Sequence, residues 1–153
     1  MISPDEPLRW EWSLPSRAAC LGAGLAAERH ALHLGWQQTE AAYLSLVVVE
    51  LATNAVRHGA RASCTLELDE LHARIEVRDE GPGFPRWVLA RHAANRPIEG
   101  ADPEQGPRRG LGAGLDVVRR LAAEVILAND GPRGGARALV RIVRARVPPG
   151  TPT

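Results

Sequence analysis

Two polar side chains stand one helical turn apart within a stretch that is otherwise apolar. Glu50 and Asn54 are separated by four positions in the segment AAYLSLVVVELATNAV. At that spacing both side chains lie on one face of a helix, and burying them is costly unless each finds a partner. The pair is compatible with hydrogen bonds to neighbouring backbone. It is equally compatible with a carboxylate one turn from an amide oxygen that binds Mg²⁺, a cation that leaves most of its shell to water and phosphate.

A carboxylate followed by two glycines forms a second candidate site. Asp79 comes after a predicted strand and precedes Gly81 and Gly83. A carboxylate at a strand end can accept a hydrogen bond from an exocyclic amine, and glycines let a planar base approach the backbone. The same residues also describe an ordinary Asp-Gly turn, so this motif alone is not specific.

A glycine-rich loop, Gly110 to Gly114, stands before a predicted helix. Small residues leave the backbone N–H groups accessible there, and a helix N-terminus favours an anionic phosphate. A flexible connector is the alternative interpretation. A second glycine pair, Gly22 and Gly24, imitates a dinucleotide fingerprint but lies inside a helical pattern, so it predicts close helix packing.

The composition predicts one domain and excludes several kinds of site. The chain has 153 residues, 44% of them hydrophobic and 24% charged, as in a globular domain. A net charge of +1 gives no reason to expect a nucleic-acid or membrane partner. All nineteen basic residues are arginine. The absence of lysine excludes a P-loop, a protein-kinase fold with its strand lysine, and Schiff-base chemistry.

The cysteines and histidines suggest no further chemistry. Cys20 and Cys64 are far apart without a CxxC motif, and the first residues lack the pattern of a secretory leader. We therefore expect a reduced, cytoplasmic protein. His30 and His33 form an HxxH pair on a predicted helix, which is more often a packed or solvated face. The other histidines show no metal-ligand spacing.

The elements that position the candidate residues follow an α+β order, β-α-α-β-β-α-α-β-β. Thr39 is predicted to cap a buried helix that ends near His58 and is stopped by Gly59. The predicted strands span residues 8–14, 63–68, 73–78, 124–128 and 136–147, and the predicted helices span residues 17–34, 39–58, 85–92 and 116–123. Residues 95–109 are predicted to form a mobile loop, and residues 148–153 a disordered tail.

Together the three motifs resemble the N box, G1 box and G2 box of the GHKL superfamily, which includes gyrase, the Hsp90 chaperones, histidine kinases and MutL. The order is E-x-x-x-N, then DxGxG 25 residues after Asn54, then GxGxG 31 residues after Asp79. The resemblance implies a two-layer α/β sandwich, with a mixed, largely antiparallel sheet and helices on one face, over residues 8–147.

The resemblance also implies roles for individual residues. Asn54 would coordinate Mg²⁺ and Glu50 would be the general base. Asp79 would bind the adenine amino group of ATP, and Gly81 and Gly83 would shape the base pocket. The phosphate loop would comprise Arg109, Gly110, Leu111, Gly112, Ala113, Gly114 and Leu115. Residues 95–109 would form the ATP lid, in which Arg108 or Arg109 could reach the γ-phosphate.

Within the superfamily, the segments VVVELATNAVRHGA and RRGLGAGLDVVRRLAAEV are most similar to bacterial anti-sigma factor and switch-protein serine kinases. That likeness implies a serine/threonine kinase of a partner-switching system, as in general stress, acting on a STAS-domain antagonist or scaffold protein. The alternative is an anti-sigma factor that sequesters a sigma factor with nucleotide as a conformational ligand. Relatives are often homodimers, and the sequence leaves that state open.

Two comparisons qualify the likeness. Relatives often carry a Gly-x-Gly-Thr turn before the last strand, whereas residues 133–136 read RGGA here, and the missing hydroxyl puts adenine affinity in question. Sensor histidine kinases place the ATP domain after a helical hairpin with a phosphorylatable histidine, and only about 38 residues precede the buried helix. A detached histidine-kinase ATP domain is a third interpretation, which needs a partner that supplies the histidine.

Overall fold

A computed structural model describes residues 6–58, 61–102 and 112–144. Within these ranges the order of strands and helices is the predicted one. The elements are β1 (Leu8–Ser13), α1 (Arg17–His33), α2 (Gln38–His58), β2 (Ala62–Leu68), β3 (His72–Asp79), α3 (Arg86–Ala93), α4 (Ala113–Leu121), β4 (Glu124–Ala128) and β5 (Arg137–Val143), with a short 3-10 turn at Pro132–Gly134 before β5.

The strands form one sheet in the order β1-β2-β3-β5-β4. In the part of the chain that the structure describes, all four strand pairings are antiparallel, so the expected parallel component of a mixed sheet is not found. Short connections explain this result for β2–β3 and β4–β5, because a strand that returns through a tight turn must run antiparallel. The predicted α+β sandwich is otherwise confirmed.

The two faces of the sheet differ in polarity because side chains alternate along each strand. Ile75 and Val77 of β3 are buried on the face that the helices cover, as is Val140 of β5. On the other face, Arg74 lies 3.8 Å from Glu67 and 3.3 Å from Glu76. Helices therefore cover one face only, as predicted, and charged pairs occupy the other.

Helix α2 differs from its prediction in two respects. It begins at Gln38, so Thr39 lies inside the first turn and does not cap it. Glu40 instead accepts a hydrogen bond from the Gln37 amide at 3.2 Å. The N–H groups at the start of a helix have no partner within the helix, and this bond supplies one. The helix is also not buried all round, because Tyr43 is 49% exposed and Leu46 is 38% exposed. Its buried sides contact α1 and the sheet.

Other element boundaries move by a few residues. Asp79 is the last residue of β3 rather than the first residue after it. Helix α4 spans Ala113–Leu121 instead of residues 116–123, and β5 begins at Arg137 instead of Ala136. The expectations for Gly59, for residues 103–109 of the predicted loop at 95–109 and for the tail at 148–153 fall outside the described residues.

Trp36 joins three parts of the chain that are distant in sequence. Its indole Nε1 donates to the Asp69 carbonyl at 2.9 Å, in the turn between β2 and β3. The Arg144 guanidinium, just after β5, lies 5.5 Å from the centroid of a Trp36 ring and pairs with Glu40 at 3.1 Å. This cluster ties the start of α2 to the ends of three strands.

Cys20 and Cys64 are free and buried. Burial, together with the nearby Cys20, raises the pKa of the Cys64 thiol to about 12. Since the thiolate is the nucleophilic form, Cys64 is a core residue rather than a catalytic one. Among the described residues, no helix has the length and apolar character needed to cross a membrane.

The predicted close packing at the first glycine pair is confirmed for Gly24 and wrong for Gly22. A Cβ atom added at Gly24 would lie 2.4 Å from Val49 Cγ2 on α2. A Cβ atom added at Gly22 would have no neighbour within 4 Å. Only Gly24 therefore lets the two helices approach closely.

We predict that Gly24→Ala and Gly22→Ala change stability in opposite directions. Gly24→Ala should lower the free energy of unfolding by about 1–3 kcal/mol, because the added methyl overpacks the α1–α2 contact. Gly22→Ala should raise it by roughly 0.5–1 kcal/mol, because alanine is the better helix former at an open position. Urea unfolding followed by circular dichroism measures both. Equal effects of the two substitutions would contradict the assignment of Gly24 to the helix contact.

Candidate active site

Helices α2 and α4 bring the Glu50 carboxylate against the glycine segment. A Cβ atom added at Gly114 would lie only 2.2 Å from Glu50 Oε2, so a side chain at that position would displace the carboxylate. Within the described residues, Glu50 makes no hydrogen bond or ion pair, and its carboxylate borders a cavity. The predicted general base thus lies next to Gly114, the part of the predicted phosphate loop that begins α4.

Two adjoining cavities run along α2. The larger has a volume of about 240 Å³ and is lined by Asp79, Gly83 and Ile98 among others. The smaller, of about 100 Å³, is lined by Glu50 and Gly114 among others. Both cavities share four lining residues, namely Asn54, Arg57, Gly112 and Leu115. Together they fall at the lower end of the range of small-molecule sites, roughly 300–1,000 Å³, with Asn54 at their junction.

Asp79 is 4% exposed and is held by backbone amides. Its Oδ1 accepts from the Gly81 amide at 2.9 Å and from the Ala136 amide at 3.1 Å. The Asp79 amide in turn donates to the Ala136 carbonyl at 3.0 Å. In the described part of the chain, both hydrogen bonds to the carboxylate end on Oδ1. The other oxygen can therefore accept from an amine in the larger cavity, which Asp79 lines.

The two glycines after Asp79 have different positions. Gly81 does not line the larger cavity and instead supplies an amide to Asp79. Gly83 lines the cavity and has a φ of +84°, which favours glycine. A Cβ atom there would lie 2.7 Å from the Asn129 side chain. Gly83 therefore matches the predicted shaping of the pocket, whereas Gly81 supports the carboxylate.

Asn129 is a site residue that the sequence reasoning missed. Its Oδ1 accepts from the Phe84 amide at 2.6 Å, and its Nδ2 donates to the Phe84 carbonyl at 2.9 Å. This pair of bonds fixes the chain next to Gly83. No local signal could have identified it, because Asn129 lies 45 positions from Phe84 and its sequence context is that of a turn.

The described part of the glycine segment forms the start of α4. Gly112 precedes the helix with a φ of +83°, and a Cβ atom there would lie 2.6 Å from Ile98 Cγ2. Ala113 and Gly114 form the first turn, and Leu115 is buried and lines both cavities. The predicted site residues Arg109, Gly110 and Leu111, with Arg108, lie outside the described residues.

Arg57 is a second residue that the sequence reasoning missed. It lines both cavities together with Asn54. The signal was present in the sequence, because Arg57 comes three positions after Asn54 and seven after Glu50, and so shares their helix face. Its permanent positive charge suits a phosphate group.

The HxxH pair belongs to the surface of α1 rather than to this site. The His30 ring stacks on Trp10 of β1, with ring centroids 3.9 Å apart. Burial lowers the pKa of His30, and the positive charges of His33 and Arg29 lower it further. His33 is exposed. Neither histidine lines the two cavities.

Comparison with known proteins identifies this arrangement. The model of the histidine kinase-, DNA gyrase B-, and HSP90-like ATPase family matches residues 39–147, more than half of the chain. The chain belongs to this ATPase family. The matched region contains α2, Asp79 and the glycine segment, so the predicted superfamily is confirmed, and the domain is one that binds ATP and supports ATP hydrolysis or kinase chemistry.

The ATPase domain is also similar to a larger bacterial protein. It is 34% identical over 113 residues to the sensor protein CseC of Streptomyces coelicolor. The alignment covers 71% of this chain and 21% of CseC, so the chain spans about a fifth of that relative. The similarity therefore does not extend to the remainder of the sensor protein.

The residues at the junction of the cavities fit Mg-ATP. Within the described ranges, no group of three or more His, Cys, Asp or Glu side chains forms a metal site. One amide oxygen is nevertheless a suitable ligand for Mg²⁺, which takes its remaining ligands from water and phosphate. Asn54 supplies such an oxygen between the cavity of Asp79 and the cavity of Glu50. The donor set thus fits a cation that arrives with the nucleotide.

We predict that Asp79→Asn retains the fold and weakens ATP binding by about tenfold or more. This factor is the one expected for the loss of one charge-assisted hydrogen bond. The amide oxygen can still accept from Gly81 and Ala136, but the amide nitrogen cannot accept from the adenine amine. Isothermal titration calorimetry with ATP and GTP measures the change. Asp130→Asn, which removes an exposed carboxylate paired with Arg137, serves as control. Unchanged ATP affinity in Asp79→Asn would contradict the predicted role of Asp79.

Proposed function

We propose that this ATPase domain is a Mg-ATP-dependent serine/threonine protein kinase of a bacterial partner-switching system, with a STAS-domain antagonist or scaffold protein as its substrate. The observation that carries the proposal is the position of the Glu50 carboxylate. It borders the smaller cavity beside Gly114, one helical turn from Asn54, and makes no hydrogen bond or ion pair within the described residues.

A serine or threonine hydroxyl needs such a base. Its oxygen attacks the γ-phosphorus, the bond from that phosphorus to the β,γ-bridging oxygen breaks, and ADP leaves with the electron pair. The hydroxyl proton passes to the Glu50 carboxylate. Phosphoryl transfer depends mostly on positioning and charge neutralisation, and a placed base adds roughly 10²–10⁴-fold. A carboxylate that has no hydrogen-bond or ion-pair partner among the described residues, and that borders the cavity beside Gly114, supports this role.

The residues around Glu50 supply the positioning. Asn54 would hold Mg²⁺, which when bound neutralises charge on the phosphates. Arg57 lines both cavities and offers a bidentate guanidinium to a phosphate oxygen. Gly112 and Gly114 at the start of α4 line the smaller cavity, and the dipole at a helix N-terminus favours an anion there. Asp79, at the other end of the larger cavity, would orient the adenine of ATP.

The similarity to the sensor protein CseC favours a second candidate, an ATP domain that phosphorylates a histidine of a partner. The two candidates differ in chemistry. A neutral imidazole nitrogen attacks with its own lone pair and loses no proton to a base before transfer, so that reaction does not require Glu50 as base. Dependence on Glu50 therefore separates the two acceptor classes.

We expect Glu50→Gln to reduce phosphate transfer by roughly 10²–10⁴-fold, the usual contribution of a general base, with ATP affinity nearly unchanged. Asn54→Ala should reduce both transfer and Mg-dependent ATP affinity. Transfer from γ-labelled ATP is measured with a lysate of the source cell, followed by acid treatment of the labelled band. Glu11→Gln, an exposed substitution in β1 with the same loss of charge, is the control.

An acid-stable label on serine or threonine that disappears in Glu50→Gln would support the kinase and identify its substrate. An acid-labile label that persists in Glu50→Gln would overturn the serine/threonine assignment in favour of the histidine acceptor. Demonstrated ATP binding without transfer to any protein would instead favour the anti-sigma alternative. Capture of a sigma factor in the presence of ATP is then the deciding measurement.

A further inference from the structure

One buried carboxylate on α4 holds the chain segment that follows α3. Asp116 is 8% exposed, and its carboxylate accepts hydrogen bonds from two successive backbone amides of that segment. The Ile98 amide lies 3.0 Å from Oδ1 and 3.1 Å from Oδ2, and the Glu99 amide lies 2.9 Å from Oδ2. Hydrogen bonds to an ionised acceptor are the stronger kind, so this contact fixes residues 98 and 99 on the helix.

Arg119 extends the contact one turn further along α4. Its Nη1 donates to Asp116 Oδ1 at 3.2 Å and to the Arg96 carbonyl at 2.8 Å, and its Nη2 donates to Asn95 Oδ1 at 3.2 Å. Asn95 has a φ of +54°, an uncommon conformation for a residue other than glycine. The guanidinium therefore holds the segment at the point where its backbone turns away from α3.

The segment that Asp116 and Arg119 hold forms part of the nucleotide cavity. Ile98 and Asp102 line the larger cavity, on the same side as Gly112. Ile98 is 1% exposed, and its backbone and side chain lie against Gly112, where a Cβ atom would be 2.6 Å from Ile98 Cγ2 and 3.0 Å from the Glu99 nitrogen. The wall of the cavity thus depends on how closely residues 98 and 99 sit on α4.

We infer that Asp116 is a positioning residue for nucleotide binding, with Arg119 as its partner. Neither residue lines the two cavities. Asp116 acts through the Ile98 and Glu99 amides, which it keeps in register with Gly112, so that the cavity has a fixed wall before a nucleotide arrives. The inference rests on ATP binding alone and is independent of the acceptor that the proposed kinase uses.

The chemistry of the contact explains why a carboxylate is needed. Its two oxygens accept three donors, two amides and one guanidinium, and offer no hydrogen. The asparagine side chain has the same shape, but it replaces one acceptor by an NH₂ group that would face a backbone N–H. Asp116→Asn therefore breaks the contact with little change in volume, and it is a sharper probe than alanine.

The test combines amide exchange with nucleotide binding. Hydrogen–deuterium exchange of the peptide that contains residues 97–102 reports the Ile98 and Glu99 amides directly, and calorimetry measures ATP and ADP affinity well below the unfolding midpoint. In Asp116→Asn we expect at least about tenfold faster exchange of these two amides and about tenfold weaker binding of both nucleotides, typical of breaking buried hydrogen bonds to a charged group. Arg119→Gln should act in the same direction more weakly.

Arg120→Gln is the matched control, because Arg120 is the next residue of α4 and is exposed. It should change neither exchange nor affinity. Faster exchange with unchanged affinity would overturn the inference and leave Asp116 a structural residue only. Unchanged exchange in a folded Asp116→Asn protein would overturn it as well. Absence of phosphate transfer from wild-type protein that binds ATP would count against the proposed kinase and not against this inference.

Discussion

The Asp79 carboxylate is buried against the end of the central strand pair, and two backbone amides keep it there. A buried charge is costly unless it is paired or hydrogen-bonded, and the amides of Gly81 and Ala136 supply those bonds. They can do so only because β3 and β5 are adjacent and the chain before β5 passes very close to Asp79. A Cβ atom at Gly135 would lie 1.8 Å from the Asp79 carbonyl oxygen. The predicted adenine end of the cavity therefore depends on the register of the sheet.

The predicted phosphate end of the cavity depends on a different constraint, the distance between two helices. Helix α2 carries Glu50 and Asn54 on one face, and α4 approaches that face through Gly114. A larger residue at Gly114 would displace the Glu50 carboxylate. The glycines of this segment consequently have a steric function in addition to exposing backbone amides to an anion. The position of the Glu50 carboxylate and the approach of α4 to α2 thus depend on the same small residue.

Between the two ends, a wall of the cavity is formed by a segment that α4 holds. Residues 95–99 are attached to α4 through Asp116 and Arg119, and Ile98 fits against Gly112. Three features of the fold thus position the site. They are the pairing of β3 with β5, the close approach of α2 and α4, and the segment that is hydrogen-bonded to α4. A cavity wall that is already ordered reduces the conformational entropy that is lost when a ligand binds.

The sequence by itself determined the order of elements, the α+β class and the shared face of Glu50 and Asn54, because these follow from local periodicity and from spacing along one helix. The same spacing also places Arg57 on that helix face, although its place in the site was not predicted. The roles of Asn129 and Asp116, and the difference between Gly22 and Gly24, were decided only by the tertiary structure. Each depends on a contact between residues distant along the chain, such as the 45 positions from Phe84 to Asn129. The local sequence pattern does not predict which distant part of the backbone a side chain will contact. The packing of α4 and the register of β3 with β5 determine those contacts.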